Sequence, residues 1–325
     1  MLNHINIVIQ ILFMFSININ TKEKHPIIEL KDKSTNTLVE IFSIGAMLNK
    51  FVCKVGNDFF NVIDGYENLE EAINPKEAWF KSSKLSPFVC RLNEGKYSFD
   101  SIDYVIDKFY LGKHAIHGIV YDGVYNIVST KANNEFALVE LQYSYLGEDN
   151  GYPFPFSVVV VWKLEKENHL SVSTTITHQN ENDIPVCDGW HPYFKMDVLV
   201  DECSLQINSN EQVEFAETLI PTGKIIADER FLQTTTLKNI ELDNCFQLKN
   251  NQEPNCILKG KKLSLEISSN QNYPYLQLYT PPHRESIAIE NLSATPDAFN
   301  NKMGLIYLQP NTAVEFTANY KVSRI

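Results

Sequence analysis

A basic excess is missing from this sequence: 28 Lys and Arg stand against 40 Asp and Glu, a formal net charge of −12. Duplex nucleic acid calls for a basic face and an anionic membrane for a cationic patch, so neither is an expected partner. Ordered cysteine spacing is also lacking. The six cysteines (Cys53, Cys90, Cys187, Cys203, Cys245, Cys256) are scattered, with no C-x-x-C pair. In a chain of this length they read as reduced, buried thiols, not as a disulfide framework or a zinc site. Glycine is sparse: there are 13, no two are spaced G-x-G, and no G-K-[ST] occurs. Dinucleotide and kinase phosphate loops are thereby excluded, and nucleotide-driven chemistry with them. Among eight histidines none makes H-x-x-x-H or H-E-x-x-H. His114 and His117 are three apart and would share a face only on a helix; their surroundings are not helical, so no metal is expected. Linkers, low-complexity tracts and 20–50-residue repeats are absent as well.

A long uninterrupted apolar run is the last absence. Ile5 to Ile19 is apolar but broken by Asn6, Gln10, Ser16 and Asn18, against the roughly 20 apolar residues a spanning helix needs. Residues 1–4 carry no Lys or Arg and no A-x-A follows, so the pattern of a secretory signal is incomplete. Residues 1–26 read as an apolar leader of unassigned status, which leaves a signal peptide, an anchor or an early start codon open. The expected location is cytoplasmic, without stable membrane association.

What is present is strand chemistry. Apolar residues make up 44% and aromatics 11%, enough for a packed core and against disorder. Short β-prone runs, many alternating with period two, recur from Ile27 onward. They cover Leu38–Phe42, Lys50–Val55, Tyr104–Leu111, Phe136–Tyr145, Ser157–Leu164, Leu170–His178, Leu205–Asn208, Leu263–Ile267, Tyr275–Tyr279, Ser286–Glu290 and Ala313–Val322. Turn residues at 147–151 and 165–168 join neighbours. One helix is expected within Leu69–Lys81, where Pro75 would start or break it. His169 after a charged turn and His178 at a strand end are expected at the surface. Strands without alternating helices predict an all-β, largely antiparallel sandwich, one domain over 27–325.

Within this frame His191 stands apart, in Cys187-Asp-Gly-Trp-His-Pro-Tyr-Phe-Lys195. Pro192 biases it toward an extended backbone, and Trp190, Tyr193 and Phe194 offer rings beside an imidazole. Flat rings next to a polar group suit the apolar faces of a sugar. A core histidine bonded to a backbone carbonyl fits the same pattern, and residue type alone leaves both open. Glu290 ends Ser286-Ile-Ala-Ile-Glu290. Alternation puts Ser286, Ala288 and Glu290 on one face and Ile287 with Ile289 on the other; Glu290 then lies either in solvent or in a cavity. Asp243 in Leu242-Asp-Asn-Cys-Phe246 and Arg91 in Val89-Cys-Arg-Leu-Asn93 sit equally beside hydrophobic residues.

Taken in order, Arg91-Leu-Asn-Glu-Gly-Lys-Tyr97, His117-Gly118, Gly189-Trp-His-Pro-Tyr-Phe194, Leu242-Asp-Asn-Cys-Phe246, Leu276-Gln-Leu-Tyr-Thr-Pro281 and Ser286-Ile-Ala-Ile-Glu290 resemble the aldose 1-epimerase (galactose mutarotase) family. Pro296-Asp-Ala-Phe-Asn300 resembles the segment that follows that family's glutamate. The likeness spans roughly residues 27–325. It implies a large β-sandwich that interconverts α and β anomers of a free aldose, as an isomerase of carbohydrate metabolism, monomeric or homodimeric and without cofactor. It implies Glu290 as base at the C1 hydroxyl, His191 as acid at the ring oxygen, and His117, Asp243 and Arg91 as sugar-binding residues. Ile119-Val-Tyr-Asp-Gly-Val departs from the Arg-bearing stretch of many members, which counts against a hexose-6-phosphate substrate. A sugar-binding sandwich without catalysis, a hexose-6-phosphate 1-epimerase-like enzyme, and a glycosidase using Asp243 with Glu290, are the competing readings.

Overall fold

Alternation along Phe136–Tyr145, Phe156–Glu165 and His169–Thr177 is carried into three dimensions almost residue by residue, every second side chain being buried. The computed structural model describes residues 13–77, 79–249 and 254–325. These three strands form antiparallel neighbours in a nine-stranded sheet. Asn126–Ala132 lies at one edge; beyond His169–Thr177 follow Ala313–Arg324, Leu263–Ser269, Cys256–Lys259, Ser204–Ile207 and Thr235–Thr236. A second, eight-stranded sheet runs in the order Pro221–Ala227, Glu211–Phe215, Asp243–Gln247, Tyr275–Tyr279, Ile287–Leu292, Gly189–His191 and Ser83–Leu85, with Tyr193–Phe194 also paired to Ile287–Leu292. A five-stranded antiparallel meander, Phe15–Asn20 to Asp58–Asn61, forms a third sheet.

The core lies between the two large sheets, and two aromatic pairs stitch it. Trp190 of the eight-stranded sheet meets Trp162 of the nine-stranded sheet edge-on, with 5.4 Å between ring centroids, and Phe194 meets Tyr320 at 5.4 Å. Each indole N–H has an acceptor: Trp162 donates to the Ala46 carbonyl at 2.8 Å and Trp190 to Thr174 Oγ1 at 3.3 Å. Beneath Trp190 sits an ion pair with no solvent exposure, Lys84 with Asp188. Lys84 Nζ also donates to the Gly189 carbonyl at 3.0 Å and lies 4.5 Å from the Trp190 ring centroid. The Tyr273 hydroxyl donates to the same Asp188 oxygen at 2.6 Å. Burial pulls the Lys84 ammonium down to about 8 and pushes the Asp188 carboxyl up, against the attraction each exerts on the other.

Several expectations change in three dimensions. Phe15–Asn20, read as leader, is a strand paired with Ile27–Asp32, and Phe15 is buried; residues 1–12 of that segment lie outside the described residues. The run Tyr104–Leu111 splits into Ile102–Val105 and Tyr110–Leu111. Between them the Asp149 carboxylate accepts the Asp107 and Lys108 N–H groups, each at 2.9 Å, which draws the backbone out of any ladder. The helix covers only Leu69–Ile73. Asn68 caps its start by accepting the Glu71 N–H, and Asn74, the residue before Pro75, has left helical geometry. His178 is buried, not exposed: Nε2 donates to the Leu308 carbonyl at 2.7 Å and Nδ1 accepts the Asn180 N–H at 3.2 Å. Among the described residues all six cysteines are free and buried, and no helix is long and apolar enough to cross a membrane.

Removing one partner of a dry ion pair strands the other. Lys84→Met should therefore destabilise the fold by about 3–5 kcal/mol, read as a lower urea midpoint. Asp188→Asn added to Lys84→Met should recover part of the loss, because no buried charge is then left alone.

Candidate active site

Glu290 belongs to the strand Ile287–Leu292, which has a partner on each side. Towards Gly189–Phe194 the register is Gly189↔Leu292, Tyr193↔Ala288 and Phe194↔Ile287; continued from either end, it sets His191 opposite Glu290. Towards Tyr275–Tyr279, Gln277 is opposite Glu290, and one strand further Cys245 is opposite Gln277. Residues opposite one another share a face of a sheet, so His191, Glu290, Gln277 and Cys245 form one row. Two residues along, Tyr193, Ala288, Tyr279 and Asp243 form the next. Ala288 brings only a methyl between two tyrosines, which leaves a hollow. His191, Tyr193, Asp243, Gln277, Tyr279 and Glu290 all line that cavity, whose volume is about 220 Å³. It falls below the roughly 300–1,000 Å³ of drug-sized sites and suits one small polar ring.

The opposite parity faces the core. Trp190 and Phe194 pack against Trp162 and Tyr320, so of the three rings expected beside His191 only Tyr193 reaches the cavity, stacked on the imidazole at 4.9 Å and 19°. Tyr279 and Phe215 add rings from neighbouring strands, and two more come from a loop that sequence reasoning assigned to the helix. Trp79 and Phe80 follow its early stop, and both line the cavity. Gln277 and Tyr279 were within reach of sequence reasoning, since their strand alternates in step with that of Glu290.

Loops complete the wall above the sheet. Arg91 and His117 arrive on the paired strands Arg91–Leu92 and His114–Ile116 and the residue that follows, and the His117 N–H donates to the Cys90 carbonyl at 2.8 Å. Phe80, Ser82, Cys90 and His117 all have φ between 47° and 64°, a left-handed backbone uncommon for residues with side chains. Gly118 follows at φ 74°, where a Cβ would lie 2.2 Å from the Ser86 carbonyl oxygen, so the turn that aims His117 has no room for one. The segment after Glu290 braces the Arg91 loop. The Asp297 N–H donates to the Arg91 carbonyl at 2.7 Å, and Asp297 Oδ1 accepts the Asn93 N–H at 2.8 Å.

At the bottom, His191 Nε2 is 3.3 Å from Glu290 Oε1. The other carboxylate oxygen, Oε2, accepts the Cys90 thiol at 3.7 Å. The His117 ring stands edge-on to His191 at 4.8 Å and packs on Phe80 at 4.7 Å. Asp243 Oδ1 accepts the Gln277 amide N–H at 2.7 Å. Burial raises the Glu290 carboxyl well above the usual carboxylate range, and the Asp243 charge adds to this, while the Cys90 hydrogen bond and Arg91 oppose it. Burial lowers His191 to about 4 and pulls His117 well down, the latter helped by His191 and Arg91. Burial also raises Asp243 despite Arg91 and Gln277. Three buried polar atoms at this site have no protein partner: His117 Nδ1, His191 Nδ1 and Gln277 Oε1. Leaving such a group unsatisfied costs about 1–3 kcal/mol, a cost a hydroxylated ligand would relieve for any it reaches. The structure thus brings together all five residues singled out in the sequence: Arg91, His117, His191, Asp243 and Glu290. His114 is turned to another use, its Nδ1 accepting the Glu94 N–H at 3.2 Å. Among the described residues no group of three or more His, Cys, Asp or Glu is arranged to hold a metal ion.

Comparison with known proteins agrees with this architecture. The chain is similar to the uncharacterized protein YihR of Escherichia coli K12, 28% identical over 233 residues, 69% of this chain and 73% of that one. Among solved structures it resembles galactose 1-epimerase from Lactobacillus acidophilus, with a TM-score of 0.81 and 19% identity over 96% of this chain and 99% of the other. A galactose mutarotase-like protein from Clostridium acetobutylicum has the same TM-score of 0.81 and the same coverage of 96% and 99%, at 16% identity. At these identities the structural likeness carries the fold alone. The aldose 1-epimerase family profile matches residues 26–321, and the chain belongs to that family.

Proposed function

We propose that the protein interconverts the α and β anomers of a free aldose, with Glu290 and His191 moving the two protons. The supporting observation is the 3.3 Å contact of imidazole and carboxylate at the floor of a cavity sized for one ring. Anomerisation needs the C1 hydroxyl to lose a proton while the ring oxygen gains one. Both oxygens are bonded to C1, so an adjacent base and acid serve one carbon. The Glu290 carboxylate takes the hydroxyl proton; the C1–O1 bond becomes a carbonyl as the C1–O5 bond breaks; and the His191 imidazolium protonates O5. Rotation about C1–C2 presents the other carbonyl face. Closure then reverses both transfers, returning the proton from Glu290 to O1 and that from O5 to His191.

The pair carries one proton throughout. Before opening it sits on His191; with the aldehyde bound it sits on Glu290. Burial favours the second arrangement, in which neither group is charged, so the dry floor stabilises the form of the enzyme that accompanies the open-chain sugar. His117 faces the ring-oxygen side next to His191, and Arg91 and Asp243 hold hydroxyls as donor and acceptor. The cavity lining supplies one cation, Arg91, beside two carboxylates, which suits a neutral sugar and disfavours a phosphorylated one.

Polarimetry of freshly dissolved α-glucose and α-galactose tests this reading. Each positioned proton transfer contributes typically about 10²–10⁴-fold, so His191→Gln and Glu290→Gln should each lower kcat/KM by at least about 100-fold at unchanged thermal stability. Near-wild-type rates in both would remove the pair from the mechanism. Ligand-dependent stabilisation without any acceleration would instead mark a binding protein.

The pH profile offers a second check. Activity needs one proton on the coupled pair. It should rise with pH as the second proton leaves, at a value shifted from the ordinary 6.5 of histidine towards about 4. It should fall again as the last proton leaves, above the ordinary carboxylate range. After subtraction of the uncatalysed rate, an acid limb at or above 6.5 would contradict this assignment.

A further inference from the structure

Each oxygen of the Glu290 carboxylate has a neighbour of its own. His191 Nε2 stands 3.3 Å from Oε1, and the Cys90 thiol donates to Oε2 at 3.7 Å, the one side-chain donor to that oxygen among the described residues. Both Cys90 and Glu290 are buried, yet both line the cavity. Cys90 comes from the loop above the sheet, 200 positions before Glu290 in the chain. Its backbone is left-handed, with φ 47°, and its carbonyl accepts the His117 N–H at 2.8 Å. One residue therefore touches the base through its side chain and ties down the loop histidine through its main chain.

The plainest use of a buried thiol is as a small apolar filler. The acceptor argues for more here. The terminal torsion of a glutamate is broad, without the sharp wells of the bonds before it, so a carboxylate held at one oxygen only can turn in place. A donor on the second oxygen removes that freedom and leaves the remaining lone pairs to the C1 hydroxyl. The donor is also a weak one. A hydroxyl or an ammonium bonded to the same oxygen would hold the carboxylate more tightly and make it a poorer base. Burial and the Glu290 charge push the Cys90 thiol well above its ordinary range, so it keeps its proton and remains a donor while Glu290 titrates.

We propose that Cys90 is a positioning residue of the anomerisation: its thiol orients the Glu290 carboxylate towards the C1 hydroxyl while leaving most of its basicity intact. The proposal rests on the mutarotase reading and adds to the acid and the base a third group, which moves no proton. Besides Cys90, the ionisable groups facing Glu290 are His191 and Tyr193 on one side, Tyr279, Asp243 and Cys245 on the other, and Arg91 and His117 above. Replacing Cys90 removes none of them, so a change in the behaviour of Glu290 can be assigned to the thiol.

The test is polarimetry of fresh α-glucose and α-galactose across pH, with the wild type, Cys90→Ala and Cys90→Ser. Cys90→Ala should lower kcat about 10-fold, the scale of one hydrogen bond to a charged group. KM should change little, as when an interaction made only in the transition state is lost. The basic limb should move to higher pH, because no thiol then favours the ionised carboxylate, while the acid limb stays in place. Cys90→Ser keeps a donor on a shorter bond to Cβ and should fall between the two. The contact also has a readout apart from activity. The infrared S–H stretch that disappears in Cys90→Ala should move to lower wavenumber as Glu290 ionises, and should ignore pH in Glu290→Gln. Wild-type kcat in Cys90→Ala would overturn the proposal, as would a fall in kcat with the basic limb unmoved, or an S–H band indifferent to pH in the wild type. A wild type that accelerates neither sugar would overturn the mutarotase reading and this role together.

Discussion

The contact between His191 and Glu290 is a consequence of antiparallel register. Because successive side chains on a strand point to opposite faces, a one-residue slip of either strand would turn an imidazole or a carboxylate into the sandwich core. Several contacts hold the register. A side chain at Gly189 would put its Cβ 2.6 Å from Leu292 Cδ2 and 3.1 Å from the Asn291 carbonyl oxygen, so any larger residue would have to displace the buried Leu292 side chain at that end. At the other end Pro192, which has no N–H to offer, still gives its carbonyl to the Ile289 N–H at 3.2 Å. Lys84 and Asp188 fasten the His191 strand to its outer neighbour.

The same dryness that makes the pair chemically responsive makes it costly. Glu290, His117 and His191 are all driven towards their uncharged forms by loss of solvent. Phe80, Cys90, His117 and Leu219, all lining the cavity, adopt left-handed backbone, at a cost of order 1–3 kcal/mol each where the geometry is sparsely populated. The extensive apolar core between the sheets offsets this. None of the described residues lining the cavity comes from the nine-stranded sheet, which packs behind the sheet that holds the polar groups.

What the sequence discloses about this arrangement follows the range of the forces involved. Period-two alternation is local, so Phe136–Tyr145 and Tyr275–Tyr279 were legible to the residue, and Ser286, Ala288 and Glu290 could be put on one face. Which face meets the cavity is decided by packing between distant strands. Trp190 and Phe194 therefore looked like site rings, although their parity turns them to Trp162 and Tyr320. Trp79 and Phe80 were hidden because a helix pattern runs past Pro75 into residues that the chain uses as loop. His178 looked exposed because its partner, the Leu308 carbonyl, is 130 positions away. The convergence of Arg91, His117, His191, Asp243 and Glu290 was legible only through resemblance to a family; composition and spacing left each of them open to a plainer use.

The first described strand, Phe15–Asn20, lies ahead of the span matched by the family profile, at the border of the five-stranded sheet. It is also latched sideways: the Phe15 N–H donates to the Asn133 carbonyl at 3.1 Å, and the Lys33 ammonium to the Phe13 carbonyl at 3.0 Å. A polypeptide trimmed to the family limits would bare the outer rim of Ile27–Asp32, with its amides and carbonyls free to recruit another strand. For anyone preparing this protein, those few residues decide which strand forms the border of that sheet.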